Sequence, residues 1–335
     1  MSPEARGDSL VLAADVGGTK TAICLASALA GEPSRSERVP SATYGDFETL
    51  ARDFLAGSGS PPLAALAVAA AGPLADDGSR IDVTHLPWRI EAERLARALG
   101  TPRVALLNDV AASALGMLEL PADAFARLQG DTHRSRGTLA VLGAGTGLGV
   151  AIVAFDGERV RVLPSEGGHA SFAARDAREI ALLRHLAGAA TSHVPVEAVV
   201  SGPGLVRIHE FLRARAGSAA TPRSDAAAIA DAGLRGDDPL CVEALELFVT
   251  CYGSEAGNLA LRARSQGGVW LGGGIAPKIL PALRRGAFVE AFCAKGSQRE
   301  WLRSLTLAVC LADDAPLRGA LREARRLAAR TEELL

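Results

Sequence analysis

Two stretches of this chain share one design, in which an apolar strand runs into a glycine turn and then into a second apolar strand instead of a helix. The first is residues 10–16, the turn Gly17-Gly18-Thr19-Lys20 and residues 21–25; the second is residues 139–142, the alternation Gly143-Ala144-Gly145-Thr146-Gly147-Leu148-Gly149 and residues 150–153. A phosphate loop of the GxGxxG or GxxxxGK[ST] kind feeds a helix, so neither stretch is of that kind. Glycine lets backbone N–H groups approach an anion with no side chain in the way. Two such hairpin turns, one from each half of a chain, are suited to grip one triphosphate from opposite sides.

A chain of 335 residues, 48% of them apolar, exceeds what one hydrophobic core usually holds, which predicts two domains. The formal net charge of −2 leaves no basic field to attract a phosphate polymer, so nucleic acid is excluded as an expected partner. Cys24, Cys241, Cys251, Cys293 and Cys310 are odd in number and scattered, with no CxxC or Cys/His spacing, and read as buried thiols of a reducing compartment. The opening residues have no basic segment followed by an apolar one. No apolar run reaches the ~18 to 20 residues of a membrane span, since the best candidate, 63–71, stops at Gly72-Pro73. The expectation is a cytoplasmic protein without membrane contact.

The first third alternates strands and helices. A third strand is expected near Arg38, and residues 46–55 place Phe47, Leu50, Ala51, Phe54 and Leu55 on one helical face with Gly57 as the stop. A buried strand over 63–70, a helix over 91–99 ending at Gly100, and a strand over 103–107 follow, the last delivering Asn108-Asp109 to a helix start. After the 138–155 hairpin, Asp156-Gly157 turns into a strand over 159–163. Helices dominate 176–264, a strand over 268–271 leads into Gly272-Gly273-Gly274, and 316–335 is amphipathic, with Leu317, Leu321, Ala324 and Ala328 on one face. The pattern predicts an α/β chain of the two-domain actin-like ATPase (ribonuclease H-like) fold. The absence of a low-complexity linker points to two domains joined closely around a cleft.

Several residue groups carry chemistry. Asp15 at a strand end before Gly17, Gly18 and Thr19 has the makings of an indirect Mg²⁺ ligand beside a phosphate turn, against the plainer reading of a hairpin turn. Four alternating glycines at 143–149 are more than a simple turn needs. Asn108-Asp109 reads equally as a functional pair at a carboxyl strand end or as a helix N-cap. Glu166 and His169 flank two glycines after a strand, and Glu197 precedes Ser201-Gly202-Pro203-Gly204, where in isolation it reads as a surface acid. Gly272, Gly273 and Gly274 form either a flat floor for an adenine ring or a close helix contact. Lys278 and the 322–330 arginine run read as solvated charge, and Trp88, Trp270 and Trp301 as core.

Taken together and in this order, Asp15-Val16-Gly17-Gly18-Thr19, Leu107-Asn108-Asp109, residues 143–149, Ser165-Glu166-Gly167-Gly168-His169, Ser201-Gly202-Pro203-Gly204 and Gly272-Gly273-Gly274-Ile275 resemble the bacterial glucokinase family over nearly the whole chain. The related ROK sugar kinases share the opening turn but carry a cysteine-rich zinc motif that this chain lacks. The resemblance implies that Asp109 is the catalytic base and that Asn108, Glu166, His169 and Glu197 join Asp109 in binding a hexose. It implies that Asp15, Gly17, Gly18 and Thr19, with Gly143, Gly145, Thr146 and Gly147, hold the phosphates of ATP with Mg²⁺, and that Gly272, Gly273 and Gly274 line the adenosine site. It further implies a small α/β domain of 1–117 plus 316–335 and a larger α+β domain of 118–315 around the cleft, in a homodimer that phosphorylates the 6-hydroxyl of glucose.

Two positions depart from the family pattern. Lys20 and His85 both stand where Asn is usual, the first in the opening turn and the second in a loop near the sugar. His85 leaves a kinase for mannose or an amino sugar as the alternative acceptor reading. A sugar-sensing regulator without catalysis and an actin-like assembly ATPase are the alternatives from other classes.

Overall fold

The computed structural model describes residues 9–130, 137–157, 159–188, 193–218 and 223–329. The chain divides into two units, Met1–Leu120 with Asp314–Leu335, and Pro121–Asp313.

The first unit contains β1 (Leu10–Val16), β2 (Lys20–Ser27), β3 (Arg35–Pro40), α1 (Phe47–Ala56), β4 (Leu63–Ala70), β5 (Arg80–Asp82), β6 (Arg89–Glu91), α2 (Ala92–Leu99), β7 (Val104–Asn108) and α3 (Asp109–Met117). Its main sheet has the order β3-β2-β1-β4-β7, with β1 to β3 an antiparallel meander and β4 and β7 running parallel to β1. Strand β4 is covered on both faces, which is why it reads as an unbroken apolar run. Leu12, Ala14, Val16, Leu66 and Val68 face one cluster with Phe47, Leu50 and Phe54 of α1 and Leu95 of α2. Val11, Ala13, Ala65, Ala67 and Ala69 face the other, with Ala112 of α3.

The second unit contains β8 (Phe125–Gln129), β9 (Leu139–Ala144), β10 (Leu148–Asp156), β11 (Arg159–Ser165), α4 (Ala177–Ala187), α5 (Gly202–Arg215), α6 (Ala226–Arg235), α7 (Pro239–Ala263), β12 (Gly268–Gly272), α8 (Leu280–Leu283), α9 (Ala287–Cys293), α10 (Arg299–Arg303) and β13 (Leu307–Cys310). Its sheet order is β11-β10-β9-β12-β13-β8. Strands β9 to β11 again form an antiparallel meander, and β12 and β13 run parallel to β9, so the plan of the first sheet recurs with β8 added at one edge. Helix α7 passes through this core. Its fully buried Tyr252 donates a hydrogen bond to the carbonyl of Leu142 in β9 at 3.3 Å, so the one polar atom of the ring is satisfied.

The chain returns to the first unit in α11 (Ala315–Ala329), whose Leu317, Ala320, Leu321 and Ala324 close the alanine-rich face of the sheet. Helices α3 and α11 touch through glycine. A methyl group built on Gly319 falls 1.8 Å from the Ala112 carbonyl oxygen, and one built on Gly116 falls 1.8 Å from that of Ala315. The arginines of α11 are not simply solvated, as the sequence suggests. Arg325 donates to the carbonyls of Ser27 and Gly31, and Arg322 pairs with Glu119. Arg330, the last residue of the arginine run, lies outside the described residues. Gly57 caps α1 without the left-handed turn expected of a glycine stop (φ −65°), whereas Gly100 ends α2 in that conformation (φ 68°). Trp88 and Trp270 are buried, and Trp301 is half-buried with the Arg264 guanidinium over its ring.

Since backbone must move to admit a methyl at either contact, Gly319→Ala is expected to destabilise the first unit by at least ~1–3 kcal/mol. Urea denaturation checks it, and an unchanged midpoint contradicts this packing.

Candidate active site

Strand parity sets the first unit's acids. Asp15 follows Val11 and Ala13 on the face covered by α11, and in register it lies opposite Ala69, which in turn lies opposite Leu107 on the same face. Asp109 comes two residues after Leu107, at the first position of α3. Only a methyl group, that of Ala69, lies on the row between strands β1 and β7. The two carboxylates therefore interact. Burial, and then the nearby Asp109 carboxylate, push the Asp15 carboxyl up from 3.8 to about 7, against a downward pull from Arg38.

Asn108 is the N-cap that its residue type predicts. Its Oδ1 accepts from the Val110 and Ala111 N–H groups at 3.0 and 3.3 Å, so its amide NH₂ is what it can turn toward a ligand. Asp109 Oδ1 also accepts from Val110 N–H, at 2.9 Å, which fixes the carboxylate at the helix start.

The turn at 17–19 is tied back by one residue with no marking in the sequence. Ser41, fully buried, donates from Oγ to the Gly17 carbonyl at 2.7 Å and from N–H to that of Thr19 at 3.0 Å. With its proton so used, Ser41 Oγ receives the Thr21 hydroxyl proton at 3.0 Å. The Lys20 carbonyl accepts from Gly17 N–H at 3.1 Å, while the Lys20 side chain is exposed. His85, with φ 66°, sits over Gly18, where an added methyl would come 3.1 Å from its Cβ.

The turn at 145–147 in the second unit has the same property. The carbonyls of Ala144, Gly145 and Gly147 accept from the N–H groups of Ile275, Gly202 and Gly145 at 3.2, 2.8 and 2.9 Å. Oxygens that would repel a phosphate are thus already engaged. Gly272 pairs with Gly143 across the parallel strands, and Gly273 turns with φ 76° so close to Ala144 that a methyl there would lie 2.4 Å from the Ala144 oxygen. At Gly145 and Gly274 an added methyl would meet nothing within 4 Å, so backbone here borders open space. Tied-back turns beside open glycines suit a polyphosphate and its base, and a raised carboxyl beside a second acid suits a divalent cation.

Glu166, His169 and Glu197 come together in this unit. His169 Nδ1 lies 3.4 Å from Glu197 Oε1 and its Nε2 lies 3.9 Å from Glu166 Oε2. Glu197 is not a bystander on the surface. Its Oε2 accepts from Leu148 N–H at 3.4 Å, directly after the glycine turn, and its side chain is only 30% exposed. Its backbone carbonyl takes the Ser201 hydroxyl at 2.6 Å, and Ser201 caps α5 through Gly204 N–H. His193, which the sequence does not single out, donates from Nε2 to the His169 carbonyl at 3.0 Å and accepts the Ser171 hydroxyl at Nδ1, 3.3 Å away. An imidazole between two carboxylates offers both donors and acceptors to a polyol.

The glucokinase family model matches residues 12–327. The chain belongs to the glucokinase family. A glucokinase of Nostoc sp. is 37% identical over 95% of this chain and 100% of its own, and one of Trichormus variabilis is 36% identical over the same shares. Among solved structures, a glucokinase from an Antarctic psychrotroph aligns with a TM-score of 0.84 at 29% identity, covering 95% of this chain and 99% of that one. The family makes the chain a sugar kinase, a phosphotransferase of actin-like ATPase fold. Among the described residues no helix is long and apolar enough to cross a membrane.

Ionisation of Asp15 opposes folding, because the native state holds that proton more tightly than the unfolded chain does. The contribution of Asp15 to native stability accordingly falls as pH rises from about 4 to about 7. The stability advantage of Asp15→Asn over the parent is expected to grow by up to about 4 kcal/mol across that window. Urea titrations at several pH values test this, and parallel curves for the two proteins contradict it.

Proposed function

We propose that this chain phosphorylates the 6-hydroxyl of glucose with ATP as donor, yielding glucose 6-phosphate. The observation that carries the reading is the His169 imidazole held between Glu166 and Glu197, with Glu197 also bonded to the backbone of a glycine turn. Sugar hydroxyls are each donor and acceptor, and polar groups that a bound sugar covers disfavour, by several kcal/mol, an analogue that leaves one of them unpaired. The Asn108 amide adds a donor whose direction is fixed by its capping oxygen.

Asp109 serves as the base. An alcohol is a far weaker acid than a carboxylic acid, so the carboxylate aligns the hydroxyl and takes its proton late, as the phosphoryl group moves. Its bond to Val110 N–H supplies that alignment. Phosphoryl transfer has a loose transition state, so orientation and charge neutralisation supply most of the acceleration. Mg²⁺, when bound, neutralises phosphate charge, and Asp15 is the residue that would hold its water shell. Gly18 and Thr19 in one turn and Thr146 and Gly147 in the other would offer backbone N–H groups to the phosphates, while the Gly17 and Gly145 N–H groups close their own turns onto the Lys20 and Gly147 carbonyls, and Gly272, Gly273 and Gly274 would border the adenosine. The homodimer and the cytoplasmic location expected of the sequence belong to this reading.

Asp109→Asn is expected to lower kcat by about 10²–10⁴-fold or more while leaving glucose affinity near that of the parent, as read by a coupled assay and by calorimetry. Near-normal turnover removes Asp109 from the role of base. Glu197→Ala is expected instead to raise KM for glucose strongly. A hexose panel with ATP tests the acceptor, with glucose giving the highest kcat/KM. Because His85 rather than Asn sits over Gly18, mannose or glucosamine exceeding glucose would reassign the acceptor and keep the kinase.

A further inference from the structure

Away from the residues above, the second unit brings together three metal-ligating side chains of three chemical types. His209 lies on α5, Asp238 is the residue before α7, and Cys241 lies in the first turn of α7; one ligand atom from each falls within 4.8 Å of the others. His209 and Cys241 are buried and Asp238 is half-buried, so the group is largely enclosed with one side toward solvent. His209 is 2% exposed, yet among the described residues its Nδ1 has no hydrogen-bond partner. A buried ring nitrogen without a partner costs about 1–3 kcal/mol and calls for an explanation.

We propose that His209, Asp238 and Cys241 form a binding site for a divalent transition metal of the Zn²⁺ class, with water in the fourth position on the Asp238 side. The donor set of imidazole, carboxylate and thiolate is the one that Zn²⁺ prefers over Mg²⁺, which takes oxygen ligands. Metal–ligand distances of about 2.0–2.3 Å around a tetrahedral ion place donor atoms roughly 3.3–3.6 Å apart, so the side chains draw in by at most about 1.5 Å. Asp238 Oδ1 caps α7 through Leu240 and Cys241 N–H, and Oδ2 faces Arg223 at 3.4 Å. Loading displaces Arg223, which is 43% exposed and free to turn to solvent. The Cys241 proton leaves to solvent as the metal–sulfur bond forms, so affinity rises with pH.

The position gives the metal a structural consequence. Helix α5 starts at Gly202, whose N–H holds the Gly145 carbonyl of the second glycine turn, and a metal at His209 and Cys241 clamps that helix to the start of α7.

The test uses the full chain titrated with Co²⁺, then Zn²⁺ in competition. Expected are one equivalent bound, tetrahedral cobalt bands and a thiolate-to-cobalt charge-transfer band, with Zn²⁺ displacing the colour and raising Tm. Cys241→Ser is expected to abolish the charge-transfer band, and His209→Gln to weaken binding by at least about tenfold. Asp238→Asn keeps the helix cap while removing the charge, and serves as the deciding variant if Cys241→Ser fails to fold. No saturable binding up to about 100 μM, or binding undiminished in these variants, overturns the proposal.

Discussion

Two aspartates of like charge, brought near one another at the carboxyl ends of parallel strands, are the constraint to which the first unit is built. Asp15 and Asp109 reach the same face because β1, β4 and β7 run side by side in one direction and in fixed register. Burial, and then repulsion from Asp109, keep Asp15 protonated to near neutrality. Holding that pair in place requires a rigid floor, and the floor is alanine. Ala13, Ala65, Ala67 and Ala69 let α11 lie close on the sheet, and Gly116 and Gly319 let α3, which carries Asp109, touch α11. Larger side chains on this face would lift the helix that aims the acid.

The second unit repeats the strand plan without repeating the electrostatics. In both sheets an antiparallel meander is followed by two strands parallel to its first member. Where β1 has Asp15 one residue before its last, β9 has Gly143. One copy thus supplies a carboxylate, and the other supplies bare backbone beside Gly272. What the copies share is less visible. In each turn carbonyl oxygens are tied back, those of Gly17 and Thr19 by Ser41 in one and those of Gly145 and Ala144 by Gly202 and Ile275 in the other. A glycine turn suits an anion only when its oxygens point elsewhere, and this requires partners distant in sequence.

That distinction explains what could be read before the structure was known. The glycine turns, the strand at 63–70, the α1 face and the N-cap at Asn108 are local features, set by conformational freedom, period and side-chain reach, and they occur where the sequence places them. Glu197 looked like a surface acid because its partners, Leu148 N–H and His169, are brought to it only by the fold. Ser41 and His193 carried no signal, since a single polar residue becomes a brace only in context. Arg325 looked solvated for the same reason; the carbonyls it holds, at Ser27 and Gly31, lie almost the length of the chain away. The coupling of Asp15 to Asp109 depends on strand order, which periodicity does not contain.

The most direct measurement of the central claim is the titration of the Asp15 carboxyl carbon by NMR, in the parent and in Asp109→Asn. The account predicts a midpoint near 7 in the parent and a lower one once the neighbouring charge is removed. A midpoint near the ordinary 3.8 in the parent, or one that Asp109→Asn leaves unmoved, would contradict it.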